Sequence, residues 1–177
     1  MTFFVPYGIA VAASVMIGSS LGKGWGKTAR KVVQVVYVLV VVIEIFLGLL
    51  LVLLRNYIPL IFTQEPAVIE LAASIFPVAA GYQILDGLAA VSGGILRGCG
   101  KQKIGAIGNF VGYIVFGLSA SALLAFLTPL RTLGLWVGVA IALFVTSAIA
   151  IIVVLRINWE RETVIAKDRL TRNMALH

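Results

Sequence analysis

The sequence predicts an all-α integral membrane protein with about five transmembrane helices. The prediction rests on three observations: 61% of the 177 residues are hydrophobic, only 12% are charged, and the mean hydropathy is +1.09. An average soluble domain is about 25% charged, and at this length it still exposes roughly a third of its chain to water. This chain has too few polar residues to cover such a surface. A soluble enzyme, a disordered chain and a disulfide-rich secreted scaffold are therefore excluded.

Five apolar runs are each long enough to cross a bilayer, which takes a helix of about 20 residues. They cover residues 2–21, 32–54, 71–96, 104–127 and 133–155. Strands of a membrane β-barrel would be about 10 residues long with alternating polarity, whereas these runs are apolar on every face. Residues 1–155 are therefore interpreted as the transmembrane part. Residues 156–177 are interpreted as a polar tail in which Trp159 anchors at the membrane interface.

The basic residues predict the orientation of the chain. Arg55 and Arg131 lie in the second and fourth loops, and all other Lys and Arg residues lie in the first loop, the third loop and the tail. Basic residues concentrate on the cytoplasmic side of membrane proteins, so the tail is predicted to be cytoplasmic. The net charge of +7 is thus explained by topology. It does not indicate a nucleic-acid partner, because the charges are not gathered on one face beside aromatic residues.

Two carboxylates, Glu44 and Asp86, lie near the centres of predicted spans. A charge at the bilayer centre costs about 2.5–3.5 kcal/mol on insertion scales, so such a group faces a cavity, a partner or a bound cation, or stays protonated. Burial favours the protonated form, and a cationic ligand favours the ionised form. A transporter coupled to protons or cations requires a group of this kind.

Asp86 is the preferred binding residue, because polar and small residues surround it at helical spacing. Tyr82 and Gln83 lie one turn before it, and the small residues Ala89, Ala90 and Gly93 follow on the same side of the helix. Polar groups beside small residues suggest a cavity wall. The alternative is a structural carboxylate that is hydrogen-bonded to an adjacent helix.

Other polar residues in the spans are weaker candidates. Asn109 and Tyr113 lie four residues apart, so both could line the same cavity as Asp86, although hydrogen bonding inside the bundle explains them equally well. Glu44 has only apolar and glycine neighbours on its face and is kept as a possible binding residue. Cys99, the single cysteine, is interpreted as a packing residue at a helix end.

One segment resembles a known family. Residues 91–106, with the sequence VSGGILRGCGKQKIGA, closely resemble the eukaryotic branch of the multidrug and toxin extrusion (MATE) family. Further segments agree with that family in the same order along the chain: residues 12–22, 109–117, 134–138 and 157–159. The likeness covers nearly the whole chain.

The resemblance implies a fold of twelve spans in two six-helix lobes. It also implies export of organic cations in exchange for H⁺ or Na⁺ by alternating access, with no enzymatic activity and no cofactor besides the coupling ion. On that pattern the five spans correspond to spans eight to twelve, a partial C-terminal lobe, and the expected location is the plasma membrane. Asp86 holds the place of a cavity carboxylate that precedes the Ser-Gly-Gly motif, as Asp where animal members usually have Glu.

Two hypotheses on function follow from the resemblance. In the first, the chain is part of an organic-cation exporter and is incomplete without the missing N-terminal half. In the second, it is a non-transporting membrane subunit or short isoform that docks on a full-length transporter.

Overall fold

The computed structural model of the chain describes residues 4–174, which form six helices joined by short connections. Residues 1–3 and 175–177, at the outer ends of the predicted first span and tail, lie outside this range. The helices are α1 Phe4–Gly22, α2 Gly26–Leu53, α3 Pro66–Gly98, α4 Gln102–Leu127, α5 Thr132–Leu155 and α6 Trp159–Met174, with a 3₁₀ turn at Pro59–Ile61. Helices α1 to α5 are long and apolar enough to cross a membrane. The predicted all-helical membrane fold is confirmed.

Two of the spanning helices extend beyond their predicted apolar runs. Helix α2 begins at Gly26 rather than residue 32, and α3 begins at Pro66 rather than residue 71. At a rise of about 1.5 Å per residue, α3 is about 50 Å long, well beyond the roughly 30 Å of a bilayer core. The first turns of α2 and α3 lie outside the predicted apolar runs and are still helical, because a helix can continue beyond the hydrocarbon core of the bilayer.

Glycines bring α1 and α3 into backbone contact. A Cβ atom at Gly94 would collide with the carbonyl oxygen of Ala10, and one at Gly98 would lie 2.7 Å from the carbonyl oxygen of Ser14. Small residues at this spacing allow membrane helices to approach closely. The contact buries Ala10 and Ile17 completely. It makes α1 and α3 one of the most closely packed helix pairs in the described part of the bundle.

Helix α2 also packs against α3, and their interface includes polar side chains. The hydroxyl groups of Tyr37 and Ser92 are 2.8 Å apart and form a hydrogen bond between the two helices. Farther along, Gly87 of α3 faces the side chain of Glu44 of α2. This interface therefore contains a carboxyl group as well as the usual apolar side chains.

Helix α4 contains a π-helical stretch, Phe110–Leu118. In a π-helix, residues five apart are hydrogen-bonded neighbours, so Gly112 and Gly117 both face Ala142 of α5. Nearer the N-terminus of α5, a Cβ atom at Gly138 would collide with Ser121 of α4. Glycines on both helices thus hold α4 and α5 close together.

The loops predicted to share one side of the membrane meet at one end of the bundle, which we call the basic end. Helix α6 packs there: Lys101 forms an ion pair of 2.8 Å with Glu162, and the side chain of Lys167 lies over Gly24. The first turn of α6 is capped by Asn158, whose side-chain oxygen accepts a hydrogen bond of 3.2 Å from the backbone of Arg161. The predicted polar tail is therefore largely a docked helix.

Cys99 lies at the basic end, just after α3. Its side chain is 5% exposed and packs in the apolar core of the bundle. Burial, together with the Glu162 carboxylate, raises the pKa of the Cys99 thiol to about 12. The thiol therefore behaves as a small apolar group, in agreement with the packing role expected from the sequence.

Candidate functional site

A cavity of about 390 Å³ lies between α3, α4 and α5, with Tyr7 of α1 contributing to its wall. Asp86 and Arg97 of α3 both line it, eleven positions apart, which corresponds to about 16 Å between their backbones along the helix. The guanidinium of Arg97 reaches back toward Gly93. The cavity lining thus includes one acidic and one basic side chain.

The spacing of residues on α3 creates this wall. Asp86, Ala90, Gly93 and Arg97 follow one another at intervals of three or four residues, so they form one stripe along the helix. The small side chains between the two charged residues leave the space that the cavity occupies. Asp86 itself is half-buried, so its carboxyl group lies at the edge of the apolar interior and still faces the cavity.

Helix α4 supplies the facing wall. Asn109, directly before the π-helical stretch, and Tyr113, within it, both line the cavity together with Asp86. Single π-helical turns inside helices occur frequently at functional sites. The structure thus brings together three of the residues singled out in the sequence: Asp86, Asn109 and Tyr113.

Thr146 of α5 completes the polar lining, and the sequence analysis did not identify it. Its side chain is only 3% exposed and lines the cavity, yet its hydroxyl oxygen has no hydrogen-bond partner. Gly112 of α4 lies directly against this hydroxyl, because a side chain there would collide with it. A buried hydroxyl without a partner is unusual in folded proteins. It leaves a donor and an acceptor available to a molecule in the cavity.

Tyr82 and Gln83, which the sequence analysis also expected near Asp86, do not line the cavity. Tyr82 is on the same stripe as Asp86 but one turn farther from the basic end, where its ring stacks on Trp136 with centroids 6.4 Å apart. Gln83 lies on the stripe of Gly87 and is buried toward α2. Sequence spacing alone places both residues within one turn of Asp86. In the structure, each contacts a different helix: Tyr82 contacts α5 and Gln83 faces α2.

Glu44 is fully buried in the interface between α2 and α3. It lies against Gly87 and faces Gln83, and its side chain does not line the cavity. Glu44 therefore does not share the space that Asp86 faces.

The cavity combines the carboxyl group of Asp86 and the guanidinium group of Arg97 with uncharged polar side chains and small apolar residues. Such a pocket can hold a cation by its carboxylate and orient it by the amide and hydroxyl groups. Within residues 4–174, the structure contains no cluster of three or more His, Cys, Asp or Glu side chains that could bind a metal ion.

Several known proteins are similar to this chain over most of its length. It is 37% identical to multidrug and toxin extrusion protein 2 of Mus musculus and 36% identical to multidrug and toxin extrusion protein 1 of Homo sapiens, each over 91% of this chain. It is 38% identical to protein DETOXIFICATION 16 of Arabidopsis thaliana over 95% of its length. The chain spans only 28%, 28% and 35% of these relatives, respectively.

The fold is also similar to solved structures. The structure of the eukaryotic MATE transporter AtDTX14 superposes with a TM-score of 0.91 at 32% identity, over 95% of this chain and 38% of that transporter. An inward-facing multidrug resistance MATE transporter of the MOP superfamily superposes with a TM-score of 0.80 at 16% identity, which supports the fold alone. The model of the MatE family matches residues 1–123, more than half of the sequence. This match and the relatives above show that the chain belongs to the MatE family and is a multi-pass membrane protein.

Proposed function

We propose that this chain forms part of a secondary active exporter of organic cations. The observation that carries the proposal is the half-buried Asp86, which faces a cavity of about 390 Å³. The names of the relatives, multidrug and toxin extrusion proteins, agree with such a cargo. Asp86 binds the organic cation in one step of the cycle and the coupling ion, H⁺ or Na⁺, in another.

The surroundings of Asp86 support this exchange. A carboxylate in a partly apolar cavity attracts a cation more strongly than the same carboxylate in water, because the effective dielectric constant is lower. Asn109, Tyr113 and Thr146 carry no charge, so they do not compete with the cation for Asp86. The Arg97 guanidinium reaches back along α3 to Gly93, two turns from Asp86, and forms no ion pair with the carboxylate in the described part of the chain. Proton and organic cation therefore compete for one group.

The length of the chain bears on how much of the cycle it can perform. It spans about 28% of the animal relatives, so alternating access requires further helices that form the other wall of the transport pathway. A second candidate function follows from the same fact. The chain acts as a non-transporting subunit or short isoform that docks on a full-length transporter and contributes no flux of its own.

Binding of a simple organic cation to the purified chain tests the role of Asp86. The chain is purified in micelles, and its affinity for tetraethylammonium is measured by calorimetry for the wild type, Asp86→Asn and Asp168→Asn. Asp168 is an exposed carboxylate on α6, so its variant is the matched control. We expect Asp86→Asn to weaken binding about tenfold or more, which corresponds to about 1.4 kcal/mol, and the control to bind as the wild type does. Equal affinity for all three would remove Asp86 from the mechanism.

Flux measurements separate the two candidate functions. Proteoliposomes are prepared with the chain alone and with the chain plus a full-length family member, and pH-gradient-driven uptake of the same cation is followed. Co-purification without flux from the chain alone supports the docking subunit. Flux from the chain alone that is lost in Asp86→Asn supports a transporting unit.

A further inference from the structure

A second intramembrane carboxyl group, Glu44, does not line the cavity that Asp86 faces. Its side chain is 0% exposed, and neither of its carboxyl oxygens has a hydrogen-bond partner in the structure. The absence of a side chain at Gly87 makes room for it: a Cβ atom there would lie 2.6 Å from Cγ of Glu44. A glycine in the middle of α3 thus accommodates a carboxyl group from α2.

The residue that faces Glu44 is Gln83, itself 4% exposed and with its side-chain nitrogen unpartnered. Gln83 lies one turn before Gly87 on α3, so the two residues form one side of the niche. An amide carries both donors and an acceptor. It can therefore donate a hydrogen bond to an ionised carboxylate and accept one from a protonated carboxyl, which suits a partner of a group that changes its protonation state.

Within residues 4–174, no ion pair involves Glu44. Helix α1, which also packs on α2, has no charged residue between Phe4 and Gly22. The basic residues of α2 lie at its first turns, at Lys27, Arg30 and Lys31, far along the helix from Glu44. On α3 the neighbouring charge is Asp86, which has the same sign and acts on Glu44 electrostatically. Tyr37, nearer the basic end of α2, is already hydrogen-bonded to Ser92.

We propose that Glu44 and Gln83 form a second proton-binding site, sealed between α2 and α3 and separate from the cavity of Asp86. A buried carboxylate without a cation is strongly unfavourable, so the group holds a proton while the interface is closed. Release of that proton leaves an uncompensated negative charge beside Gly87. The interface must then admit water or a cation, or separate.

The site extends the proposed function, because a coupling proton would have a place in the chain besides Asp86. Gly87, which contacts Glu44, directly follows Asp86, which faces the cavity. The two carboxyl groups therefore lie at neighbouring positions of α3, and the charge on one affects the charge on the other. The inference rests on the proposed function, but proton binding by Glu44 can be measured separately from organic-cation binding.

Infrared spectroscopy of the purified chain tests the site. The carbonyl stretch of a protonated carboxyl group absorbs apart from the carboxylate and amide bands, and micelles of an ester-free detergent leave that region clear. The wild type is compared with Glu44→Gln, with Asp86→Asn and with the control Glu70→Gln, whose side chain is exposed. We expect a protonated-carboxyl band at neutral pH that is absent in Glu44→Gln and present in the other two variants. It should disappear reversibly as the pH is raised.

The possible results separate the proposal from its alternatives. A band that Glu44→Gln leaves unchanged would show that Glu44 is ionised and would overturn the proposal. A Glu44 band that persists at every pH at which the protein stays folded would mark a structural carboxyl group and would also overturn it. If Glu44→Gln does not fold, Gln83→Leu should shift the Glu44 band by removing its amide neighbour, and an unchanged band would refute the pairing. Loss of tetraethylammonium binding alone would contradict the role of Asp86 and not the Glu44 site.

Discussion

Replacing Glu44 by methionine is expected to stabilise the folded chain, although most substitutions at buried positions destabilise a protein. The side chain is completely buried, and both carboxyl oxygens are unpartnered. An unsatisfied buried polar group costs about 1–3 kcal/mol, and methionine fills a similar space without polar oxygens. The imperfect match in shape costs less than about 1.5 kcal/mol. The net expectation for Glu44→Met is a gain of about 1 kcal/mol.

The size and sign of this change distinguish two states of the carboxyl group. If Glu44 were ionised and held by a cation, its removal would leave a buried charge and would cost about 3–5 kcal/mol. Unfolding is followed by circular dichroism as sodium dodecyl sulfate is added to the chain in mild micelles. Glu70→Met, a substitution at an exposed position, serves as the control and should change stability by no more than about 0.5 kcal/mol. A loss of stability in Glu44→Met of more than about 1 kcal/mol would refute the reasoning.

Three further predictions concern the packing and the basic end. Gly94→Ala forces a methyl group onto the backbone of α1 and should cost about 1–3 kcal/mol in the same unfolding assay, whereas Gly81→Ala, with open space around it, should be neutral or slightly stabilising. Cys99, whose raised pKa of about 12 compares with a usual 9.0, should react with maleimide about a thousandfold more slowly in the folded chain than after unfolding, and comparable rates would contradict its burial. The buried neutral thiol of Cys99 contributes to the free energy of unfolding below pH 9, and this contribution is lost as the pH rises toward 12, because the unfolded chain loses the thiol proton first. Lys101→Ala removes the partner of the buried Glu162 and should raise amide hydrogen exchange in α6 about tenfold, while Lys101→Arg should not.

The membrane fold could be predicted from the sequence, because it depends mainly on the length of the apolar runs. A run of apolar residues as long as 133–155 has few options other than a spanning helix, and the structure places α5 at Thr132–Leu155. Helix α6 was within reach of the same reasoning but was interpreted only as a polar tail. The signals were present: Asn158 as a capping residue, Glu160 and Glu162 in the first turn, and Arg172 in the last turn.

The site was only partly predictable, because side-chain surroundings depend on which helices pack on either side. Helical spacing placed Gln83 near Asp86. It could not indicate that Gln83 is buried beside Glu44 of α2, whereas Asp86 lines the cavity. Thr146 gave no sequence signal, since a threonine in an apolar span usually bonds to the backbone of its own helix. The π-helical stretch at Phe110–Leu118 likewise has no spacing signature that distinguishes it from an ordinary helix.

The contact between α1 and α3 affects how the bundle can deform. Where Gly94 and Gly98 bring the two backbones together, no flexible side chains lie between them to absorb a sliding movement. The two helices are therefore expected to move together in this region, and Asp86 lies on α3 two turns away. Helix α4, with its π-helical turns from Phe110 to Leu118, faces them across the cavity. A change in cavity volume is therefore expected to come from α4, and a substitution that stiffens α4 should narrow the range of volumes that the cavity adopts.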